Sequence, residues 1–108
     1  MKLNIKATQI KLTPEIKSYI QKKMDMLEKF LGHIPVINCD IEVALTTTHH
    51  VKGEIYSAEV NLEVPGELLR VEKPEKELHK AIDKVQDHLA RSIKNYKEKI
   101  IDRKRKGE

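Results

Sequence analysis

The sequence predicts an α+β fold of order β-α-β-β-β-α, a two-layer sandwich in which a four-stranded, mostly antiparallel sheet carries two helices on one face. Three observations predict it. Apolar and polar residues alternate in four short segments, as in strands with one buried face. Two longer segments carry apolar residues at helical spacing. At 108 residues the chain is long enough for one domain with a modest core.

The first two elements are a short strand over residues 2–7 and a helix over residues 14–31. Thr13 and Pro14 are typical of a helix start, with threonine at the N-cap and proline at the first helical position. Gly32 follows the last apolar residue, as expected just after a helix C-cap. The outer side of this helix is cationic, and its apolar stripe consists of Ile16, Ile20, Met24, Leu27 and Leu31.

Three further strands are predicted over residues 36–46, 56–64 and 68–72. Pro65 and Gly66 form the centre of a type II turn between the last two. Lys73-Pro74 then leads into the final helix. The solvent-facing side of the sheet collects acidic residues, namely Asp40, Glu42, Glu59, Glu63 and Glu72.

The last third of the chain predicts one long amphipathic helix with cations opposite its apolar stripe. At 100° per residue, the apolar residues fall within roughly 80° of arc. The domain is expected to span residues 1–102, followed by a flexible basic tail over residues 103–108. The stripe consists of Leu78, Ile82, Val85, Leu89, Ile93, Tyr96 and Ile100.

Charge is distributed unevenly along the chain. Residues 91–108 hold eight Lys and Arg against three Asp and Glu, whereas residues 1–90 hold thirteen against fourteen. This polarity indicates an anionic partner bound from one side of the molecule, with RNA the first candidate. The alternative is an ordinary solvated helix surface, since acidic residues are interleaved with the cations.

Composition and motifs argue against an enzyme, a metal site or a cofactor. Cys39 is the only cysteine, so a disulfide framework is excluded, and its inward strand position indicates a buried structural thiol. His49 and His50 have no third ligand placed by the sequence. The glycines are isolated and form no phosphate-binding loop. We expect no small-molecule substrate.

The same sequence indicates where the protein acts and how it binds RNA. It shows neither the apolar core of a signal peptide nor a membrane-spanning run, so we expect a cytoplasmic protein without membrane partners. Sheet-type RNA readers stack bases on aromatic side chains of an exposed sheet face. Here that face is acidic and Tyr56 alternates inward, so RNA is expected on the helices.

Several segments resemble the ribosome hibernation promoting factors and ribosome-associated inhibitors. The resemblance runs from residue 1 to about residue 101 and includes the element order and the hairpin. The segments that carry it are Met1-Lys2-Leu3-Asn4-Ile5, Leu12-Thr13-Pro14, Leu27-Glu28-Lys29-Phe30, Ala81-Ile82-Asp83, Leu89-Ala90-Arg91 and Tyr96-Lys97-Glu98-Lys99.

The resemblance implies a non-enzymatic protein whose fold is similar to double-stranded-RNA-binding domains. Such proteins occupy the decoding channel of the small ribosomal subunit in starved or stationary cells. They contact 16S ribosomal RNA, block transfer and messenger RNA, and preserve the idle ribosome. The chain is similar to a short form or to the N-terminal domain of a long form. Whether it promotes or opposes ribosome pairing is left open.

Position by position, the family's cation in the first helix falls on Lys23, and the basic stripe of its last helix falls on His88, Arg91 and Asn95. Members usually carry lysine at the positions of His88 and Asn95. Together with the charge pattern, the resemblance predicts an RNA-binding set of Lys22, Lys23, Lys29, Lys84, His88, Arg91, Lys94, Asn95 and Lys97.

The sequence therefore supports two hypotheses for the function of the protein. The first is a ribosome-binding translation silencer. The alternative is a general duplex-RNA-binding or protein-interaction module that shares the sandwich without ribosome specificity.

Overall fold

A computed structural model describes residues 1–46 and 53–106 and confirms the predicted α+β sandwich. The sheet has the order β1-β2-β3-β4, with β1 parallel to β2 and the other neighbours antiparallel. The elements are β1 (Asn4–Thr8), α1 (Pro14–Asp25), α2 (Glu28–Leu31), β2 (Asn38–Thr46), β3 (Ile55–Val64), β4 (Glu67–Glu75) and α3 (Leu78–Lys106).

One aliphatic layer lies between the sheet and the helices. Within the described residues it contains no buried polar or charged residue, so apolar burial is the main stabilising contribution. The predicted stripe of α3 is confirmed, since its five central members are at most 5% exposed. The largest fully buried side chains are Ile20, Met24, Leu27, Ile41, Leu62, Ile82, Leu89 and Ile93.

The predicted single helix over residues 14–31 is in fact two helical segments. Thr13 caps the first as expected, its Oγ1 accepting from the Ile16 N–H at 3.2 Å. Near its end the chain tightens, because the Leu27 N–H donates to the Met24 carbonyl three residues back, at 3.0 Å. This turn keeps Leu27 fully buried. Gly32 then ends α2 with φ +60, a conformation that suits glycine.

Strand β4 continues to Glu75, three residues beyond its predicted end. Pro74 lies within it, paired opposite Ser57. The strand tolerates proline because β4 is an edge strand, where a residue without an N–H need not break a ladder bond.

Helix α3 continues to Lys106, so the domain boundary predicted after residue 102 falls inside a helix. The flexibility predicted for the tail over residues 103–108 stays a prediction, and its last two residues lie outside the described ranges.

Candidate nucleic-acid interface

The exposed surface of α3 holds the cations that are best placed to meet an anion. Arg91 and Lys94 are exposed, are three residues apart, and take part in no ion pair within the described part of the chain. Asn95 is exposed beside them, and His88 is half-buried one turn earlier. The predicted contacts on this surface are Lys84, His88, Arg91, Lys94 and Asn95.

Lys84 already has a partner inside the protein. Its ammonium group forms an ion pair with the Glu75 carboxylate at the end of β4. That contact is the largest reason why the pKa of Glu75 is lowered, followed by a backbone hydrogen bond from Lys76. Lys84 therefore links the first part of α3 to the edge strand. Because Glu75 neutralises part of its charge, only the remainder can act on a bound anion.

Lys23 is likewise engaged, at the junction of α1 and α3. Its Nζ lies 3.3 Å from Asp83 Oδ1, and the Tyr19 hydroxyl donates to the same oxygen. The carboxylate raises the pKa of Tyr19 to about 12 by accepting this hydrogen bond. The Tyr19 ring also packs edge-on against His79, with centroids 4.4 Å apart. Lys23 therefore helps to join the two helices.

Of the three remaining predicted contacts, one has a hydrogen-bond acceptor inside the protein and two are exposed on the surface. Lys97 Nζ donates to the Phe30 carbonyl at 2.9 Å and ties α3 to the end of α2. Lys29 Nζ lies 5.1 Å from the centroid of the Phe30 ring. Lys22 is exposed in the last turn of α1. The structure therefore brings the predicted residues onto the helical layer but gives Lys23, Lys84 and Lys97 internal partners.

His88 has a surrounding that the sequence did not reveal. Its Nδ1 is buried without a hydrogen-bond partner. Burial lowers the pKa of the imidazole, and the charges of Lys73 and Arg91 lower it further. Lys73 was missed because the strand was predicted to end at Glu72. Its alternation with Leu69 and Val71, both inward, is the signal that could have found it.

The open face of the sheet is acidic, as predicted, and its register concentrates the charge. Glu42 lies directly opposite Glu59, which lies directly opposite Glu72. Arg70 offsets part of this charge through an ion pair with Glu59 at 3.0 Å, and Lys6 lies opposite Glu42 in the register of β1 and β2. Since phosphate would be repelled from the row of glutamates, this face is a poor surface for RNA.

The described residues contain one buried thiol and no cluster that could hold a metal ion. Cys39 is buried, and desolvation is the main reason why its pKa is raised to about 11, which keeps the thiol protonated at neutral pH. No group of three or more His, Cys, Asp or Glu side chains could hold a metal ion in residues 1–46 and 53–106. His49 and His50 lie outside these ranges.

Within the same ranges, none of the helices combines the length and the apolar character that a membrane crossing needs.

The chain matches the model of one protein family along nearly its whole length. The family is described as sigma 54 modulation protein / S30EA ribosomal protein, and the match covers residues 3–101. The ribosome hibernation promotion factor of a Picosynechococcus species is 30% identical over 105 residues, which are 96% of this chain and 53% of that protein. The ribosome hibernation promotion factor of Bacillus subtilis is 27% identical over 100 residues, 93% of this chain and 50% of that protein.

The chain thus spans about half the length of these curated relatives. A shorter relative, the ribosome hibernation promoting factor of Klebsiella oxytoca, is 27% identical and is covered over 97% of its length. Among solved structures, the N-terminal domain of Thermus thermophilus Protein Y superposes with a TM-score of 0.70 at 25% identity, covering 89% of this chain and 99% of that domain.

Proposed function

The chain belongs to the sigma 54 modulation protein / S30EA ribosomal protein family, and we propose that it binds the ribosome and promotes its hibernation. The names of its relatives support the general role. The observation that carries the proposal for this chain is the exposed surface of α3, where Arg91 and Lys94 have no acidic partner among the described residues.

The finer proposal is that the helical layer contacts 16S ribosomal RNA in the decoding channel of the small subunit, in the cytoplasm. Messenger and transfer RNA are then excluded because their site is filled, and translation stops without a chemical step. The acidic sheet face supports this orientation, because it directs the RNA-binding surface to the helices alone.

Co-sedimentation with isolated small subunits tests the proposal. We expect the protein to pellet with subunits at about 50–100 mM salt and to dissociate progressively above that range, as binding driven by phosphate contacts does. Substituting Arg91→Glu together with Lys94→Glu should abolish pelleting. The matched control is Lys2→Glu with Lys11→Glu, which makes the same charge change at exposed residues outside the helices and strands.

Competition with duplex RNA and with messenger and transfer RNA tests the ribosome specificity and the proposed decoding-channel site. Excess duplex RNA of arbitrary sequence should not displace the protein from subunits. If it displaces the protein stoichiometrically, the chain is a general duplex-RNA binder and the ribosome-specific proposal is wrong. Messenger and transfer RNA binding to the subunit should fall in proportion to occupancy. Absence of pelleting at about 50 mM salt would overturn the proposal as a whole.

A further inference from the structure

The seam between β4 and α3 is closed by ion pairs at both ends but not in its middle. At one end Lys99 Nζ lies 3.2 Å from Glu67 Oε1, and at the other Lys84 pairs with Glu75. Both glutamates of the seam are therefore engaged with lysines of α3. The cations between these two pairs form no ion pair within the described residues, and Asp87, one turn before Arg91, is exposed and forms none either.

The middle of the seam holds Lys73, His88 and Arg91. Lys73 is half-buried and lies on the inner side of β4, opposite Ala58. Arg91 follows His88 by one helical turn, and the charges of Lys73 and Arg91 both act on the imidazole. Neither Lys73 nor Arg91 forms an ion pair in the part of the chain that the structure describes. An anion bound between Lys73 and Arg91 would be attracted by both charges.

The tautomer of the His88 imidazole suits a hydrogen bond from its N–H to an acceptor on a bound ligand. His88 Nδ1 is buried and has no hydrogen-bond partner. A buried N–H left unpaired is rarer than a buried acceptor left unpaired, so the proton is favoured on Nε2. A neutral ring in this tautomer offers one N–H donor. The charges of Lys73 and Arg91 disfavour protonation of the ring until an anion binds.

We propose that Lys73, His88 and Arg91 together bind one phosphate group of RNA in the seam between β4 and α3. This inference rests on the proposed ribosome binding. Arg91 offers a planar fork of donors, Lys73 a compact charge, and His88 a single N–H, a set that suits the oxygens of one phosphate. The RNA backbone then follows the β4 side of α3, away from the α1 side, where Lys23 and Lys97 already have internal partners.

Proton uptake is a consequence of this arrangement. A bound phosphate raises the pKa of His88 and offsets the effect of Lys73 and Arg91. The other charged groups near the imidazole are Lys84 and Glu75, which pair with each other, and Asp87, the preceding residue of α3, which is exposed to solvent. Affinity for RNA should therefore increase as pH falls from about 8 to about 6.

The first test compares Lys73→Gln with Lys6→Gln in the full chain, because both remove one lysine charge and Lys6 lies on β1. Lys73→Gln should weaken binding to small subunits about five- to tenfold and reduce the slope of log affinity against log salt by about one, whereas Lys6→Gln should change neither. Lys73→Arg should restore most of the affinity, which distinguishes lost charge from damaged packing. Equal behaviour of the two glutamine variants would overturn the site.

The second test needs no ribosome. The ring signals of His88 are followed by NMR as inorganic phosphate replaces chloride at constant ionic strength. We expect the pKa of His88 to rise in the wild type and to respond less in Lys73→Gln. If the wild type fails to bind subunits but this response is present, the phosphate site stands and the proposed function falls. An unchanged pKa in the wild type then overturns the site as well.

Discussion

The two outer surfaces of this sandwich are both rich in charge, but they are constructed differently. On the open sheet face, strand register aligns Glu42, Glu59 and Glu72 directly opposite one another. On α3, helical spacing places Arg91 and Lys94 on one side without acidic partners in the described ranges. Local pairing, more than net charge, therefore decides which surface can receive an anion.

The largest expected effect comes from weakening the apolar core between the sheet and the helices. Leu89→Ala, at a fully buried position of α3, should lower the free energy of unfolding by about 2–5 kcal/mol, because it removes apolar contacts and leaves a cavity. Leu68→Ala is the matched control, since Leu68 lies on the sheet and is 57% exposed. Denaturant unfolding measures both, and a control loss near that of Leu89→Ala would contradict the layer assignment.

Removing the Lys23–Asp83 ion pair at the α1–α3 junction tests whether this pair keeps Lys23 from contributing to RNA binding. Asp83→Asn removes the carboxylate that Lys23 and Tyr19 share, so the pKa of Tyr19 should fall from about 12 toward its ordinary value of 10.0. Stability should fall by about 1 kcal/mol, an amount limited by the partial exposure of the pair. Absorbance titration of tyrosinate and denaturant unfolding provide the measurements.

Freeing Lys23 should also raise affinity for small subunits about two- to threefold, because one more cation becomes available. Asp87→Asn, an exposed change on the same helix, is the control. If it moves the titration of Tyr19 equally, the assignment to Asp83 is wrong.

Identical charge changes on the two surfaces test whether the location of a charge or the net charge controls binding. Glu98→Lys on α3 should raise subunit affinity several-fold, because it adds a cation to the binding surface. Glu72→Lys makes the same change on the sheet and should leave affinity unchanged within about twofold. It should instead raise stability by about 0.5 kcal/mol, because an opposite charge then faces Glu59. Equal gains in affinity from both would show that net charge, not location, controls binding.

The smallest effect concerns pH and stability. The pKa of His88 in the folded protein lies below its ordinary value of 6.5, so the unfolded chain binds more protons as the solution is acidified. Stability is therefore complete above pH 6.5 and is lost as pH falls through the lower folded pKa. The melting temperature of the wild type should drop by about one degree more than that of His88→Gln between pH 7.5 and 5. A larger drop in His88→Gln would reverse the sign of this linkage.

Most of the fold was predictable because each element carries its own periodicity. The stripe of α3 and the alternation of β2 and β3 are local patterns, and the structure places them as expected. The errors fell at boundaries. Pro74 suggested the end of a strand, yet the edge position of β4 allows the strand to continue, and only the strand order reveals that.

The candidate site was predictable as a surface but not as a set of contacts. Helical spacing was sufficient to place Arg91, Lys94 and Asn95 together on α3. It could not show that Lys23 meets Asp83, because that pair joins residues sixty positions apart through the docking of two helices. For the same reason the neighbourhood of Lys73 and His88 depends on how α3 lies along β4.

The two-layer sandwich, its aliphatic core and the separation of acidic from basic surfaces can be predicted from the sequence alone, because they follow from the 3.6- and 2-residue periods of single elements. Tertiary structure alone decided which cations are neutralised inside the protein and which face outward. Ion pairs and half-buried clusters form between elements that are distant in the chain, and short-range patterns hold no information on such distances. The exposure of Arg91 and Lys94 without an acidic partner among the described residues, and the seam at Lys73 and His88, are properties of the packed molecule.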